Sequence, residues 1–113
     1  MNIVNINNLV DIEKIQKIQD ELALAMELAV ILVDYRGNPI TRHSNCSSFC
    51  YMARQDKKYN LRCEKCDSRG GLEAVRQQKA FIYKCHFGLV DFAIPIIIND
   101  QYMGALMAGQ VNV

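Results

Sequence analysis

Apolar residues recur every third or fourth position between Ile12 and Met26, at Ile12, Ile15, Ile18, Leu22, Ala25 and Met26, while Glu13, Lys14, Lys17 and Asp20 face elsewhere. That spacing predicts an amphipathic helix, N-capped by Asn8 with Asp11 three residues on. Its apolar stripe is expected to cover a core or to pair with another copy of the chain. The period then changes. Leu28 to Asp34 reads LAVILVD and predicts a central strand, followed by a turn at Tyr35-Arg36-Gly37-Asn38-Pro39. Gly37 and Asn38 tolerate positive φ there, and Pro39 cannot continue a ladder. Ile40 to His43 is expected to return as a short antiparallel strand.

Between Asn45 and Lys79 the pattern becomes that of short helices. Ser47 or Ser48 is placed to cap one that carries Phe49, Cys50, Met52 and Ala53. After the polar run Gln55–Asn60, Asp67 or Ser68 is placed to cap another through Leu72, Ala74 and Val75. Gly70 and Gly71 fall in its first turn, where a helix former would be more stable by ~1 kcal/mol per residue. The pair therefore implies close backbone approach to a ligand or to a neighbouring strand. The last third is β: Ala80–Cys85, Val90–Ile98 and Tyr102–Val111, with Asn99-Asp100-Gln101 as a tight connection. Gly104, Ala105, Ala108 and Gly109 leave room above the final strand for a ligand or a crossing helix. The predicted fold is α+β: five antiparallel strands, helices on one face enclosing a small cavity, and the N-terminal amphipathic helix.

Composition narrows the function classes. The 113 residues fit one domain over 1–113, and a net charge of +1 gives this domain no electrostatic basis for direct nucleic-acid contact. The N-terminus lacks the basic and apolar regions of a secretory signal. The longest apolar runs, Leu28–Val33 and Phe92–Ile98, are too short to span a bilayer, so a cytoplasmic location away from the membrane is expected.

All five cysteines lie between Cys46 and Cys85, as C-x3-C (Cys46, Cys50), C-x2-C (Cys63, Cys66) and Cys85 followed by His86. An odd count in a reducing compartment argues against a disulfide framework. Three chemistries fit. Cys63 and Cys66 have the spacing of a zinc clamp, with Cys46, Cys50, Cys85 or His86 to complete a zinc or iron site. Alternatively the thiols line a pocket for a small neutral molecule, with Arg54, Asp67, Glu73, Tyr83, His86 and Asp91 supplying directional hydrogen bonds. The third is a reversible Cys63–Cys66 disulfide, which would need a low-pKa thiolate. Each residue also has a plainer reading: Cys50 and Cys85 as core, His86 as structure, Glu73 and Arg76 as a solvated helix face, Arg54–Asp67 as a surface ion pair. Cys85 and His86 are strand neighbours pointing to opposite faces, so they form no catalytic dyad, and only Cys85 is expected to face Cys63 and Cys66. With no nucleophile, base and orienter set, the chain reads as a binding domain and not an enzyme.

The segments NCSSFCYMAR (45–54), CEKCDSRGGLEA (63–74), YKCHFGLVDFAIPI (83–96) and GALMAGQV (104–111) together resemble the PocR sensory domain, a PAS-like ligand-binding family. The resemblance runs from about Leu9 to Val113. It implies a regulatory module that binds a small hydrocarbon derivative, such as a diol or glycerol, and signals to a C-terminal helix-turn-helix or kinase output domain. It also implies a homodimer and a chain that is the N-terminal part of a longer regulator. Carried onto this sequence, the motif positions add Gly70 and Gly88 to the pocket residues Arg54, Asp67, Glu73, Tyr83, His86 and Asp91, beside the five cysteines.

Overall fold

The computed structural model describes residues 11–112, so the expected cap at Asn8 lies outside the described residues. Helix α1 spans Ile12–Met26 and is N-capped by Asp11, whose carboxylate accepts from the Lys14 amide. Strand β1 (Ala29–Asp34) follows, then helices α2 (Ser48–Arg54) and α3 (Lys57–Gln77), and strands β2 (Phe81–Lys84), β3 (Val90–Ile98) and β4 (Gln101–Val111). The sheet is antiparallel in the order β1-β4-β3-β2. Asn99 and Asp100 both have left-handed φ, which closes the β3–β4 hairpin with two residues.

Among the described residues the sheet has four strands, not five. The segment expected as a fifth, Ile40–His43, forms no regular ladder with β1: isolated bridges at Val33–Pro39 and Val30–Ser44 flank it, and the Ile40 amide donates to Leu32 O. Between the bridges Thr41 breaks the ladder: its hydroxyl accepts from the Leu32 amide and donates to Gln19 Oε1. This irregular cover explains a second correction. β1 is an edge strand of the sheet and not a central one, yet it is nearly fully buried because residues 38–44 run along its open edge.

The same segment turns α1 around. The irregular stretch needs hydrogen-bond partners, and α1 supplies them by presenting its polar side. The two Gln19 Nε2 hydrogens are shared among three acceptors, Val30 O at 3.0 Å, Arg42 O at 2.8 Å and Ser44 Oγ at 2.7 Å. Gln16 Oε1 accepts from the Arg42 amide at 2.7 Å. Gln16, Gln19 and Ala23 are the buried positions of the helix, whereas Ile18, Leu22 and Met26 of the expected core stripe are exposed. Buried polar backbone outweighs apolar periodicity here, because each unpaired group costs about 1–3 kcal/mol. Gln19→Ala is accordingly expected to lower stability by about 2 kcal/mol, whereas Ile18→Ala, 62% exposed, should change it little. Thermal denaturation of the two variants checks the contrast.

Helices cover both faces of the sheet. On one, Ala74 of α3 packs against Ile31, Val33, Ala93, Ala105 and Met107. On the other, Ala23 of α1 packs against Val30 and Ala108. Consecutive strand residues point to opposite faces, so neighbours such as Val30 and Ile31 serve different helices.

α3 is one continuous helix. Asp56 caps it through the Lys58 and Tyr59 amides, so the helix begins inside the polar run at Lys57 and neither Asp67 nor Ser68 is a cap. Gly70 and Gly71 therefore sit in its interior. A Cβ on Gly70 would strike the ring of Tyr83, and one on Gly71 would strike the Tyr102 hydroxyl. The glycines bring α3 down onto β2 and β4, which is the strand approach the sequence allowed.

Candidate functional site

Where α2, α3 and the C-terminal end of β4 converge, a pocket opens against the sheet. Its floor is apolar, from Ala29, Ile31 and Met107, and its walls carry Arg54, Asp67 and Asp91 together with Cys50, Cys63, Cys66 and Cys85. The cavity is about 30 Å³, room for about two waters. Phe87, at the turn after β2, pins the lid: its ring lies 4.9 Å from Phe49 of α2 and 5.6 Å from Tyr59 of α3. That turn is tight, with the Gly88 amide donating to Cys85 O and Gly88 at φ +81°.

The other end of the lid is tied by Gln110. A register irregularity at Val90–Asp91 leaves Gln110 at left-handed φ, with its amide donating to Asp91 Oδ1 at 2.8 Å. Its side chain accepts from the Ser47 amide at the start of α2, and its Nε2 lies 3.2 Å from His43 Nε2. A side-chain amide nitrogen only donates, so His43 accepts at Nε2 and carries its proton on Nδ1. His43 lines the pocket.

Arg54, the last residue of α2, donates from Nη2 to Asp67 Oδ2 of α3 at 3.3 Å. Both are largely buried, so the pair is not the surface contact of the plainer reading. Arg54 Nε and the Tyr83 hydroxyl are buried without a hydrogen-bond partner among the described residues. An orphaned donor on the wall of a pocket is where a ligand oxygen would be held.

Burial sets the titration of these groups. It raises the Asp67 carboxyl to about 6 against the pull of Arg54, with Asp91 and Glu64 adding to the rise. It raises Asp91 as well, opposed by the hydrogen bond from Gln110. It lowers His43 to about 4, with Arg54 adding to the effect. The consequences for stability oppose one another. Between pH 4 and 6 the folded chain keeps an Asp67 proton that the unfolded chain has lost, so stability falls as pH rises. Between pH 4 and 6.5 the unfolded chain holds a His43 proton that the folded chain excludes, so stability rises. We expect a shallow profile for the wild type, one that climbs from pH 4 to 6.5 for Asp67→Asn, and one that falls from pH 4 to 6 for His43→Gln. Denaturation midpoints across that range decide it.

The thiols converge but do not form a clamp. Cys50, Cys63, Cys66 and Cys85 line one pocket, and all five cysteines are free. Among the described residues no group of three or more His, Cys, Asp or Glu side chains is arranged to hold a metal ion. Cys63 Sγ instead lies 3.2 Å from His86 Nε2, and Cys85 Sγ accepts from the Phe87 amide at 3.4 Å. Burial raises the Cys50 and Cys66 thiols, and Cys63 to about 11, so these three remain protonated at neutral pH. Neither zinc nor iron ligation nor a low-pKa redox thiol at Cys63 or Cys66 finds support in this arrangement.

The remaining expected site residues are dispersed. Cys85 lines the pocket, but His86 reaches Cys63 as well, against the expectation that only Cys85 would. β2 ends at Lys84, so both residues lie in the turn, where strand alternation no longer separates them, and His86 also stacks on Phe87 at 4.0 Å. Glu73 faces outward toward Arg76 at 3.6 Å, and Gly88 is exposed at the turn. Gly70 and Tyr83 form the contact between α3 and β2 beside the pocket. Cys46 meets Gln110 Nε2 at 3.6 Å. His43 and Gln110 were not anticipated; only Gly109, whose missing Cβ admits Asp91 Oδ1 at 2.6 Å, signalled that this end of β4 is special.

Comparison with known proteins agrees with the motifs. Residues 8–113 match the family described as the sensory domain found in PocR. The regulatory protein PocR of Salmonella typhimurium is 40% identical over 100 residues, which is 88% of this chain and 33% of that protein. The chain thus spans a third of the length of this relative. No solved structure matches. Among the described residues no helix is long and apolar enough to cross a membrane.

Proposed function

We propose that this chain, which belongs to the PocR sensory-domain family, senses a small hydrocarbon derivative such as a diol or glycerol in the Arg54 pocket. The observation that carries the reading is the buried, orphaned Arg54 Nε beside a cavity lined by thiols, apolar side chains, Asp67 and Asp91. A hydroxyl would accept from Nε while the carbon skeleton meets Ala29, Ile31 and Met107. A cavity of about 30 Å³ does not hold such a molecule unless the lid moves. α2 is the element free to move: it has seven residues, exposes Phe49, Tyr51 and Met52, and is held by Arg54–Asp67, Phe87 and Gln110. A ligand that binds the opened arrangement better shifts the population toward it, and that shift is the signal. The receiver is an output domain, a helix-turn-helix or a kinase, in a longer regulator. Calorimetry with propane-1,2-diol, propane-1,3-diol, glycerol and short alcohols tests the reading. Saturable heat and a raised melting temperature with at least one supports it; neither effect with any of them refutes it.

The exposed stripe of α1 favours a second reading about assembly. Ile18, Leu22 and Met26 are 62%, 41% and 42% exposed along one side of the helix. Apolar residues in a row on a surface helix mark an interface. Because the same stripe exists on every copy, two copies can bury it against each other about a two-fold axis. Sedimentation should give a dimer that Ile18→Glu with Leu22→Glu converts to a folded monomer. A wild-type monomer at high concentration would rule this out.

A further inference from the structure

The net charge of +1 is a sum, and it conceals how unevenly the charges of this chain lie. The expectation of no nucleic-acid contact rests on that sum alone. Helix α3 buries one side against the sheet, at Cys63, Asp67, Gly70, Gly71 and Ala74. The opposite side is the row 58, 62, 65, 69, 72 and 76, which steps by three and four residues and so keeps to one face. Lys58, Arg62, Lys65, Arg69 and Arg76 fill five of those places, Leu72 fills the sixth, and all are exposed. Lys57 adds an exposed cation where the helix begins. We propose that this face of α3 is a docking surface for the sugar–phosphate backbone of duplex DNA, held without regard to base sequence. The proposal is independent of the ligand reading above.

Little opposes the row. Glu64 and Glu73 are half-buried at its flanks, Glu64 accepting from Asn60 Nδ2 and Glu73 lying 3.6 Å from Arg76. Asp56, before the first turn, accepts from the Lys58 and Tyr59 amides. Asp67 is on the buried side and answers Arg54. Among the described residues no carboxylate pairs with Lys58, Arg62, Lys65 or Arg69. At 1.5 Å per residue the row is about 27 Å long. Duplex DNA carries a charge about every 1.7 Å of its axis, so several phosphates lie within reach of the row at once. Three of the five cations are arginines, whose planar fork can hold a phosphate by two bonds.

The same face fits other polyanionic surfaces less well. A helix lying on a membrane needs an apolar side to bury in lipid. That side of α3 is packed on the sheet, and the exposed Leu61 and Leu72 stand about three turns apart. Single strands are held by stacking on exposed rings, and the row carries none. Charges without rings or a groove suit a backbone and not base edges.

Fluorescence anisotropy of the full chain with two duplexes of unrelated sequence, each of about 30 base pairs, tests this between about 20 and 200 mM salt. Both should bind alike, with affinity falling along a log–log salt slope of about −4. Arg62→Gln with Arg69→Gln should reduce that slope by about 2 and weaken both duplexes equally, at least about tenfold at low salt. Both positions are exposed, and an unchanged melting temperature shows that the variant is folded. Lys14→Gln with Lys17→Gln, on the exposed side of α1, should leave binding as it is. No binding at the lowest salt overturns the proposal, as does binding that the α3 pair weakens no more than the α1 pair. Tighter binding to polyglutamate of matched charge overturns DNA as the partner. So does tighter binding to vesicles of anionic lipid, into which the exposed Tyr51 and Met52 of α2 would insert.

Discussion

Asp67→Ala is expected to destabilise the domain by about 3 kcal/mol at pH 7, lowering its melting temperature by about 12 °C. The cost comes less from losing the ion pair than from what remains. Arg54 is 18% exposed at its side chain and has no described partner other than Asp67. Removing Asp67 leaves a guanidinium buried beside thiols and aliphatic groups, and desolvating an unpaired charge is the large term. Replacing both partners by apolar residues of similar volume should therefore recover most of the loss. Arg54→Met with Asp67→Leu is expected to melt within a few degrees of wild type while losing any response to diols. A double variant as unstable as Asp67→Ala would mean that the pair itself, and not the stranded charge, holds α2 to α3.

Gly104→Ala is the second large effect, at about 3 kcal/mol. Gly104 pairs with Asp34 across the β1–β4 ladder at φ +157°, beside the irregularity at Ile96–Ile97. A Cβ there would strike Val33 O, which is backbone and cannot swing aside. Relief requires β1 to separate from β4, and β1 carries Val30 and Val33, the largest fully buried side chains. Gly88→Ala is the control: that turn also has positive φ, but a Cβ there meets nothing within 4 Å, so only the backbone strain of about 1 kcal/mol remains. Chemical denaturation of both variants should rank them in that order.

These positions show how far the chain could be read without coordinates. The β3–β4 hairpin was legible because strand composition and the Asn99–Asp100 turn agree on one answer. The gathering of thiols near one site was legible too, since the C-x2-C spacing of Cys63 and Cys66 and the strand ending at Cys85 led to the expectation that these three face one another, although the helix that carries Cys63 and Cys66 was expected to begin only after them. What they do there was not. Metal spacing is a statement about two residues, whereas a site needs three or four to converge, and the convergence here is on a pocket.

Two misreadings share a physical cause. Periodicity assigned Ile18 and Leu22 of α1 to a core or to another copy of the chain, and the core half of that reading fails because it counts apolar residues and ignores the backbone a helix must satisfy. Gln16 and Gln19 are buried to serve residues 41–44, an irregular edge with no regular strand of its own to pair with. Likewise Gly70-Gly71 and the polar run before it look like a break, yet α3 continues through them because Tyr83 and Tyr102 fill the space beneath the glycines. In both cases a distant partner overrode a local preference. His43 and Gln110 escaped notice for a related reason: their roles arise from a bulge in pairing between β3 and β4, which no single segment encodes.

The central claim is that a small neutral ligand enters at Arg54 and moves α2. Amide hydrogen exchange with and without saturating propane-1,2-diol or glycerol measures this directly. The account predicts a ligand-dependent change in exchange over Ser48–Arg54 and the inner face of α3 near Cys63–Asp67, with β1 and β4 at their common ladder unchanged. Saturable binding that leaves α2 exchange untouched, or that alters only α1, would contradict it.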